Sequence, residues 1–218
     1  MSTVYITRHG QANTAARNHD DYDKLSPLGH QQAQWLGELF TMTHIKFDRI
    51  YSGNLRRQKQ TAHEINTSGI EHIIDDRLNE FDYFGLSNEL ETQLGIPYPE
   101  TQETFKEYLL KMMTLWKNGD ISSQLETYES FHDRILSVVH DLSVSGANVL
   151  LVSSSGVIAS LVARLLNVPL KDQPKLFLSV SHTCLNRFEP MYGDLTPTLF
   201  CATPHLDQPD RSYARTFI

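Results

Sequence analysis

The 218-residue sequence has few cysteines, a deficit of positive charge and no long apolar run. Its 2 cysteines, Cys184 and Cys201, have neither metal-ligand spacing nor the density of a disulfide scaffold. They are expected as reduced thiols in strands, which points to the cytoplasm. Lysine and arginine total 19 against 26 acidic residues, a net charge of -7. That balance argues against a nucleic-acid binder, because phosphate backbones select basic surfaces, and any positive site must be local. No apolar stretch approaches the roughly 20 residues that span a bilayer, and Met1 to Ile6 lacks the basic region and apolar run of a signal peptide. Low-complexity blocks, internal repeats and Pro/Gly/Ser linkers are also missing, so residues 1–218 are read as one soluble domain.

What remains is ordinary globular composition, 40% hydrophobic and 21% charged. Short β-rich runs alternate with amphipathic patterns. "TVYITRHG" reads as a strand that stops at Gly10. "LSPLGHQQAQWLGELF" reads as a helix with Pro27 near its start. A strand "FDRIYS" and a helix through "LRRQKQTAHEI" follow. Phe105, Tyr108, Leu109, Met112 and Trp116 make one helical stripe, and Phe131, Ile135, Val138, Val139 and Leu142 another. "NVLLVS" is the most strand-like segment, with a helix behind it through Ile158, Leu161, Val162 and Leu165. "LFLSVS", "CLNRFEP" and "TLFCAT" read as three further strands. Strands interleaved with helices predict an α/β fold: three layers, with a mostly parallel central sheet and helices on both faces.

Ligands in such folds collect beyond the carboxyl ends of the strands. There the sequence delivers Arg8-His9-Gly10 after the first strand, Ser52 with Arg56 and Arg57 after the second, and Ser153-Ser154-Ser155-Gly156 after "VLLV". Guanidinium forks match phosphate oxygens bidentately, and His9 beside them can act as a nucleophile.

The pieces "YITRHGQ", "LSPLGHQQAQWLG", "YSGNLRRQKQTA", "RLNEFDYFG", "ESFHDRI", "VLLVSSSGVI" and "ATPHL" stand in the order and spacing of a known group. The chain resembles the histidine phosphatase superfamily, the phosphoglycerate mutase-like proteins. The resemblance covers most of the chain and is weakest between Leu86 and Thr127. It implies that His9 takes up the phosphoryl group as a phosphohistidine and that Arg8 and Arg57 hold the phosphate. It implies also that Glu80 protonates the leaving oxygen and then activates water. The residue chemistry agrees: a neutral imidazole attacks phosphorus without a strong base, and two transfers replace one difficult hydrolysis. Gly10, having no side chain, is expected to let backbone N–H groups approach the phosphate. This chemistry requires no metal and no dissociable cofactor.

One position departs from the pattern. Where the family usually has Ser-His-Gly-Gly, this chain places Ser154 at the site of a second phosphate-binding histidine. Ser154 and Ser155 can still offer hydroxyls beside a helix N-terminus, which favours an anion, but the imidazole charge and reach are gone. Losing such a donor costs roughly 10²- to 10³-fold, and a transition-state cation roughly 10³- to 10⁵-fold. Three explanations stand. Ser154 leaves slow turnover, or His182, in "HTCLNRF", supplies the missing charge, or the protein binds a phosphorylated ligand without turning it over.

Other readings are weighed against these. Arg56 is expected on a solvated helix face, Ser153 and Ser155 as turn and N-cap residues, and His205 as structural. A serine-hydrolase elbow needs glycines flanking the nucleophile and is set aside. The pairs His19-Asp20, His132-Asp133 and His140-Asp141 raise a metal-dependent phosphohydrolase, which sensitivity to a chelator would separate from the phosphohistidine route. The expected activity is hydrolysis of a phosphate monoester, with mutase-type transfer as the alternative and a small phosphate ester or phosphate as the partner. Residues 81–128 are expected as a helical lid that chooses the leaving group, although a Met and aromatic stripe at helical spacing is more often core than pocket.

Overall fold

A computed structural model describes residues 3–13, 19–121 and 124–217. Its strands are β1 (Val4–Arg8), β2 (Arg49–Ser52), β3 (His72–Ile74), β4 (Val149–Ser153), β5 (Leu185–Met191) and β6 (Asp194–Ala202). They form one six-stranded sheet in the order β3-β2-β4-β1-β5-β6. The first four are parallel to one another, whereas β5 runs antiparallel to β1 and β6 antiparallel to β5. The helices are α1 (His19–Tyr22), α2 (Pro27–Met42), α3 (Arg56–Ile65), α4 (Tyr83–Leu94), α5 (Gln102–Asn118), α6 (Tyr128–Ser143), α7 (Ser155–Leu165) and α8 (Gln173–Ser179).

The pleat of β4 explains the layers. Every residue of β4 is buried, and successive side chains point to opposite faces. Val149 and Leu151 enter a hydrophobic cluster with Phe131 and Ile135 of α6 and Ile158 and Leu161 of α7. Leu150 and Val152 enter a second cluster with Leu36 of α2 and Ile65 of α3. A continuous apolar strand is thus what a sheet covered on both faces requires. Truncating any of these four to Ala would cost about 1–5 kcal/mol by transfer and cavity formation.

Local chemistry sets the element ends nearest the site. Ser26 caps α2 by accepting from the Gly29 N–H at 3.1 Å, with Pro27 in the first turn. The hairpin β5–β6 turns through Tyr192 and Gly193, whose φ angles of 54° and 93° match the two positive values a tight I′ connection demands.

Two sequence expectations are corrected, and one strand is added. "LFLSVS" is not a strand: Leu176 to Ser179 complete α8, which starts with Pro174 in its first turn, and its Leu176 and Phe177 pack against the larger cluster. A short apolar run does not by itself separate strand from buried helix. The three-residue edge strand β3, with exposed His72 and Ile74, carries no apolar pattern to detect. Cys184 lies in the turn ahead of β5 rather than in a strand, and Cys201 lies in β6; neither is in a disulfide. Within 81–128 the stripe is core on one side, since Tyr108, Met112 and Trp116 belong to the larger cluster.

Candidate active site

Strand polarity gathers the site. In the parallel register Arg8 pairs with Ser153, and the His9 N–H extends the ladder to the Ser153 carbonyl at 2.8 Å. The carboxyl ends of β1, β2 and β4 therefore open at one edge. Because β5 is antiparallel to β1, its beginning lies at that same edge, and the Thr183 N–H donates to the Arg8 carbonyl at 3.1 Å. His182 is thereby brought beside His9, with ring centroids 5.8 Å apart.

His9 is 2% exposed, and its partners determine its tautomer. Arg57 Nε can only donate, and it lies 3.1 Å from His9 Nε2; the Gly10 carbonyl can only accept, and it lies 2.8 Å from Nδ1. The proton therefore sits on Nδ1, and Nε2 presents its lone pair. Burial, with the charges of Arg57 and Arg8 adding to it, holds His9 well below the usual histidine range, so the ring is neutral at ordinary pH. Arg57 is itself fixed by Asp23, which accepts from its Nη1 at 2.9 Å and from its backbone N–H at 3.2 Å. The Arg57 guanidinium also lies 5.1 Å from the centre of the Tyr22 ring. Arg8 donates from Nη1 to the carbonyls of Val180 and Phe217, while its buried Nε has no partner. Burial lowers the Arg8 guanidinium from its ordinary value, yet arginine remains cationic in proteins.

Glu80 meets the N-terminus of α7. Its Oε2 accepts from the Gly156 N–H at 2.8 Å and its Oε1 from the Phe81 N–H at 3.2 Å. Burial pushes this carboxyl up from the ordinary range and outweighs the hydrogen bond from Gly156 and the charge of Arg57. Gly156 leaves room for this carboxyl, because a Cβ there would stand 2.2 Å from Glu80 Oε1.

The serine turn is arranged differently from the expectation. Ser153 closes β4 and donates to the Leu78 carbonyl at 2.7 Å. Ser154, not Ser153 or Ser155, is the N-cap residue of α7, and its side chain caps nothing. Ser154 is 1% exposed, and its hydroxyl accepts from Gln58 Nε2 at 2.9 Å. Ser155 begins α7 and lines the cavity in front of His9. Gly10 does not turn its N–H to that cavity but donates to Thr61 Oγ1 at 3.0 Å. A Cβ on Gly10 would lie 2.3 Å from the Gly29 carbonyl, so the glycine admits the start of α2.

His182 is 1% exposed, with Nδ1 bonded to Thr216 and Nε2 without a hydrogen-bond partner. Burial, then the Arg8 charge, holds it well below the usual histidine range. Its neighbour Thr183 has φ 54°, a strained value for a β-branched residue. His205 binds the Thr183 hydroxyl through Nε2 at 2.9 Å and supports that turn.

Arg56 is exposed on α3, one position before the buried Arg57. Of the His-Asp pairs, His132 is buried with Nδ1 on the Tyr128 carbonyl and His140 is exposed; the side chains of His19 and Asp20 lie outside the described residues. Asp23, Gln58 and Gly156 were missed by the sequence reading. Gly156 alone had a signal, as the glycine of a strand-to-helix turn.

These groups border a cavity of about 790 Å³ that holds His9, Arg8, Arg57, Glu80 and Ser155 at one end. An unprotonated imidazole nitrogen, two guanidiniums and a carboxyl whose burial raises its proton affinity are together equipped for phosphoryl transfer and proton donation.

The chain is 26% identical over 199 residues to a 6-phosphofructo-2-kinase/fructose-2,6-bisphosphatase of Gallus gallus, covering 90% of this chain and 39% of that protein. It is 33% identical over 92 residues to a 2,3-bisphosphoglycerate-dependent phosphoglycerate mutase of Brucella ovis, covering 39% and 45% of the two chains. The match thus covers less than half the length of each of these curated relatives. Among solved structures, a phosphoserine phosphatase of Entamoeba histolytica in complex with 3-phosphoglyceric acid superposes with TM-score 0.67 at 22% identity, covering 94% of this chain and 100% of that one. An alpha-ribazole phosphatase of Shigella flexneri does so with TM-score 0.68 at 21% identity, covering 92% and 96%. The profile of the histidine phosphatase superfamily (branch 1) matches residues 4–201, and the chain belongs to that superfamily.

Proposed function

We propose that this protein hydrolyses phosphate monoesters through a phosphohistidine on His9. The observation that carries the reading is the His9 ring, with Nδ1–H tied to the Gly10 carbonyl and the Nε2 lone pair beside Arg57 in a cavity shared with Glu80. In the first step Nε2 attacks phosphorus, an N–P bond forms and the bond to the leaving oxygen breaks. Glu80 gives its proton to that oxygen and the alcohol departs. In the second step Glu80, now a carboxylate, takes a proton from water, the water oxygen attacks phosphorus, and the N–P electron pair returns to Nε2. Arg8 and Arg57 neutralise the equatorial oxygens in both transition states, where fixed cations contribute most.

The charge absent at Ser154 is assigned to His182. Its Nε2 is buried and unpartnered and its ring adjoins His9. A phosphate dianion raises the proton affinity of a nearby imidazole, so His182 gains its proton as the anion arrives and donates from Nε2. Support for hydrolysis comes from the phosphatases among the similar proteins, while the mutases among them support the alternative of returning the phosphoryl group to an isomerised product. The product separates the two.

The test is acid-free mass spectrometry after brief exposure to an aryl phosphate, with phosphate release measured in parallel. Wild type is expected to carry a phosphoryl group on the peptide containing His9 and to release inorganic phosphate; His9→Ala is expected to do neither. Saturable binding with no modified His9 and no product would overturn hydrolysis in favour of a binding protein.

A further inference from the structure

Beyond the catalytic groups, the cavity changes character. Among the described residues, its cationic side chains are Arg8 and Arg57, both at the His9 end. The rest of the wall is largely aromatic: Tyr22, Tyr83, Phe84, Tyr98, Phe105 and Phe177 line it. The rings are contiguous. Tyr22 meets Phe84 at 5.9 Å between centroids, Phe84 meets Tyr83 at 5.7 Å, and Tyr83 meets both Tyr98 at 6.0 Å and Phe105 at 6.1 Å. Separations of that size are those of interacting aromatic pairs, so the wall is an ordered apolar surface rather than scattered rings.

The chain places this surface next to the acid. Glu80 protonates the oxygen that stays with the leaving group, and the residues that follow it are Phe81, Asp82, Tyr83 and Phe84. The leaving group therefore emerges against the rings of α4 and the start of α5. Among the described residues, the one further charged side chain on that wall, Asp82, is negative and caps α4 by accepting from the Gly85 N–H at 2.8 Å. A second phosphate or a carboxylate on the substrate would meet carboxylates and rings, with no cation among the described residues to receive it. Burying such an anion unpaired is strongly unfavourable.

We infer that the substrate is a phosphate monoester with a flat, aromatic or otherwise apolar leaving group. The inference rests on the site proposed above but concerns the opposite end of the cavity. The volume of about 790 Å³ accommodates a fused-ring group along with the phosphate. It also separates this chain from relatives whose names carry bisphosphorylated sugars or phosphoglycerate.

The experiment has a binding arm and a turnover arm. Calorimetry on the full chain compares a naphthylmethyl phosphonate, which cannot be hydrolysed, with phosphoserine and fructose 2,6-bisphosphate. The phosphonate is expected to bind at least about 10-fold more tightly than either, and Phe105→Ala and Tyr98→Ala are each expected to weaken it about 3- to 10-fold while leaving inorganic phosphate affinity unchanged. Equal or tighter binding of the bisphosphate, or aromatic variants without effect on the phosphonate, would overturn the inference. In the turnover arm, kcat/KM for naphthyl phosphate is expected to exceed that for the bisphosphate about 100-fold or more. Aryl-selective binding without phosphohistidine leaves the pocket assignment standing and removes the hydrolase reading. Phosphohistidine formed preferentially from the bisphosphate does the reverse.

Discussion

Gly156→Ala tests whether the position of the Glu80 carboxyl sets the rate of the first step. The new Cβ would lie 2.2 Å from Glu80 Oε1 and 2.6 Å from Phe81 Cε1, where real contacts do not fall below 3.0 Å. The carboxyl must therefore retreat by about 0.8 Å, and its 2.8 Å bond from the Gly156 N–H is strained or lost. A displacement near 1 Å of a reacting group can cost roughly 10²-fold, in line with the usual worth of a general acid. The backbone effect runs the other way, since Ala in a helix is about 0.5–1 kcal/mol better than Gly. The thermal midpoint should consequently move little. The assay is the phosphorylation burst in rapid-quench kinetics with two substrates, an alkyl phosphate whose alkoxide needs a proton and 4-nitrophenyl phosphate whose phenolate does not. The burst is the correct observable because release of phosphate from His9 uses Glu80 as base whatever the leaving group. The alkyl substrate should slow about 10²-fold and the nitrophenyl substrate by less than about 10-fold. Equal slowing of the two, or none, would show that Glu80 does not protonate the leaving oxygen.

Three further outcomes follow from the geometry. Ser154→His should gain less than about 10-fold in phosphate release, whereas His182→Ala should lose roughly 10²- to 10³-fold; the opposite pattern would return the missing charge to position 154. Burial raises Glu80 and lowers His9, so kcat/KM for an alkyl phosphate should be highest on the acid side and fall as pH rises through the elevated Glu80 value, a limb that Glu80→Gln should abolish in a slow enzyme. Burial, with Arg211 and Arg215 adding, lowers His205 from 6.5 to about 3. The unfolded chain then binds this proton first, so His205 contributes no pH dependence above 6.5 and stability falls by roughly 1.4 kcal/mol per pH unit below it until the folded value is reached. Urea unfolding at pH 7 and 5 should show a smaller loss for His205→Gln by about 2 kcal/mol, and an equal loss in both chains would refute the assignment.

Much of this protein was legible in one dimension. The continuous apolar run of β4 reports burial on both faces of the sheet, and the stripe of α6 reports one buried helix face, which local side-chain chemistry alone expresses. Arg8-His9, Arg57 and Glu80 were legible because their order and spacing form a recognisable series. What stayed hidden depends on contacts between residues far apart in the chain. Asp23 matters only because it reaches Arg57, and Gln58 because it reaches Ser154 across 96 positions. His182 was already a candidate in the sequence, but that its ring stands beside His9 follows from β5 running antiparallel to β1, and strand direction is a property of the assembled sheet. The "LFLSVS" segment became the end of a helix because tertiary packing, not its apolar content, decided between two buried conformations. The aromatic wall likewise joins rings from α1, α4, α5, α8 and the loop between α4 and α5, which no sequence window contains. The amino-acid order by itself determined the layers and which imidazole, guanidinium and carboxyl groups follow the strands; the tertiary structure decided which groups meet, because hydrogen bonds, desolvation and close approach act through space.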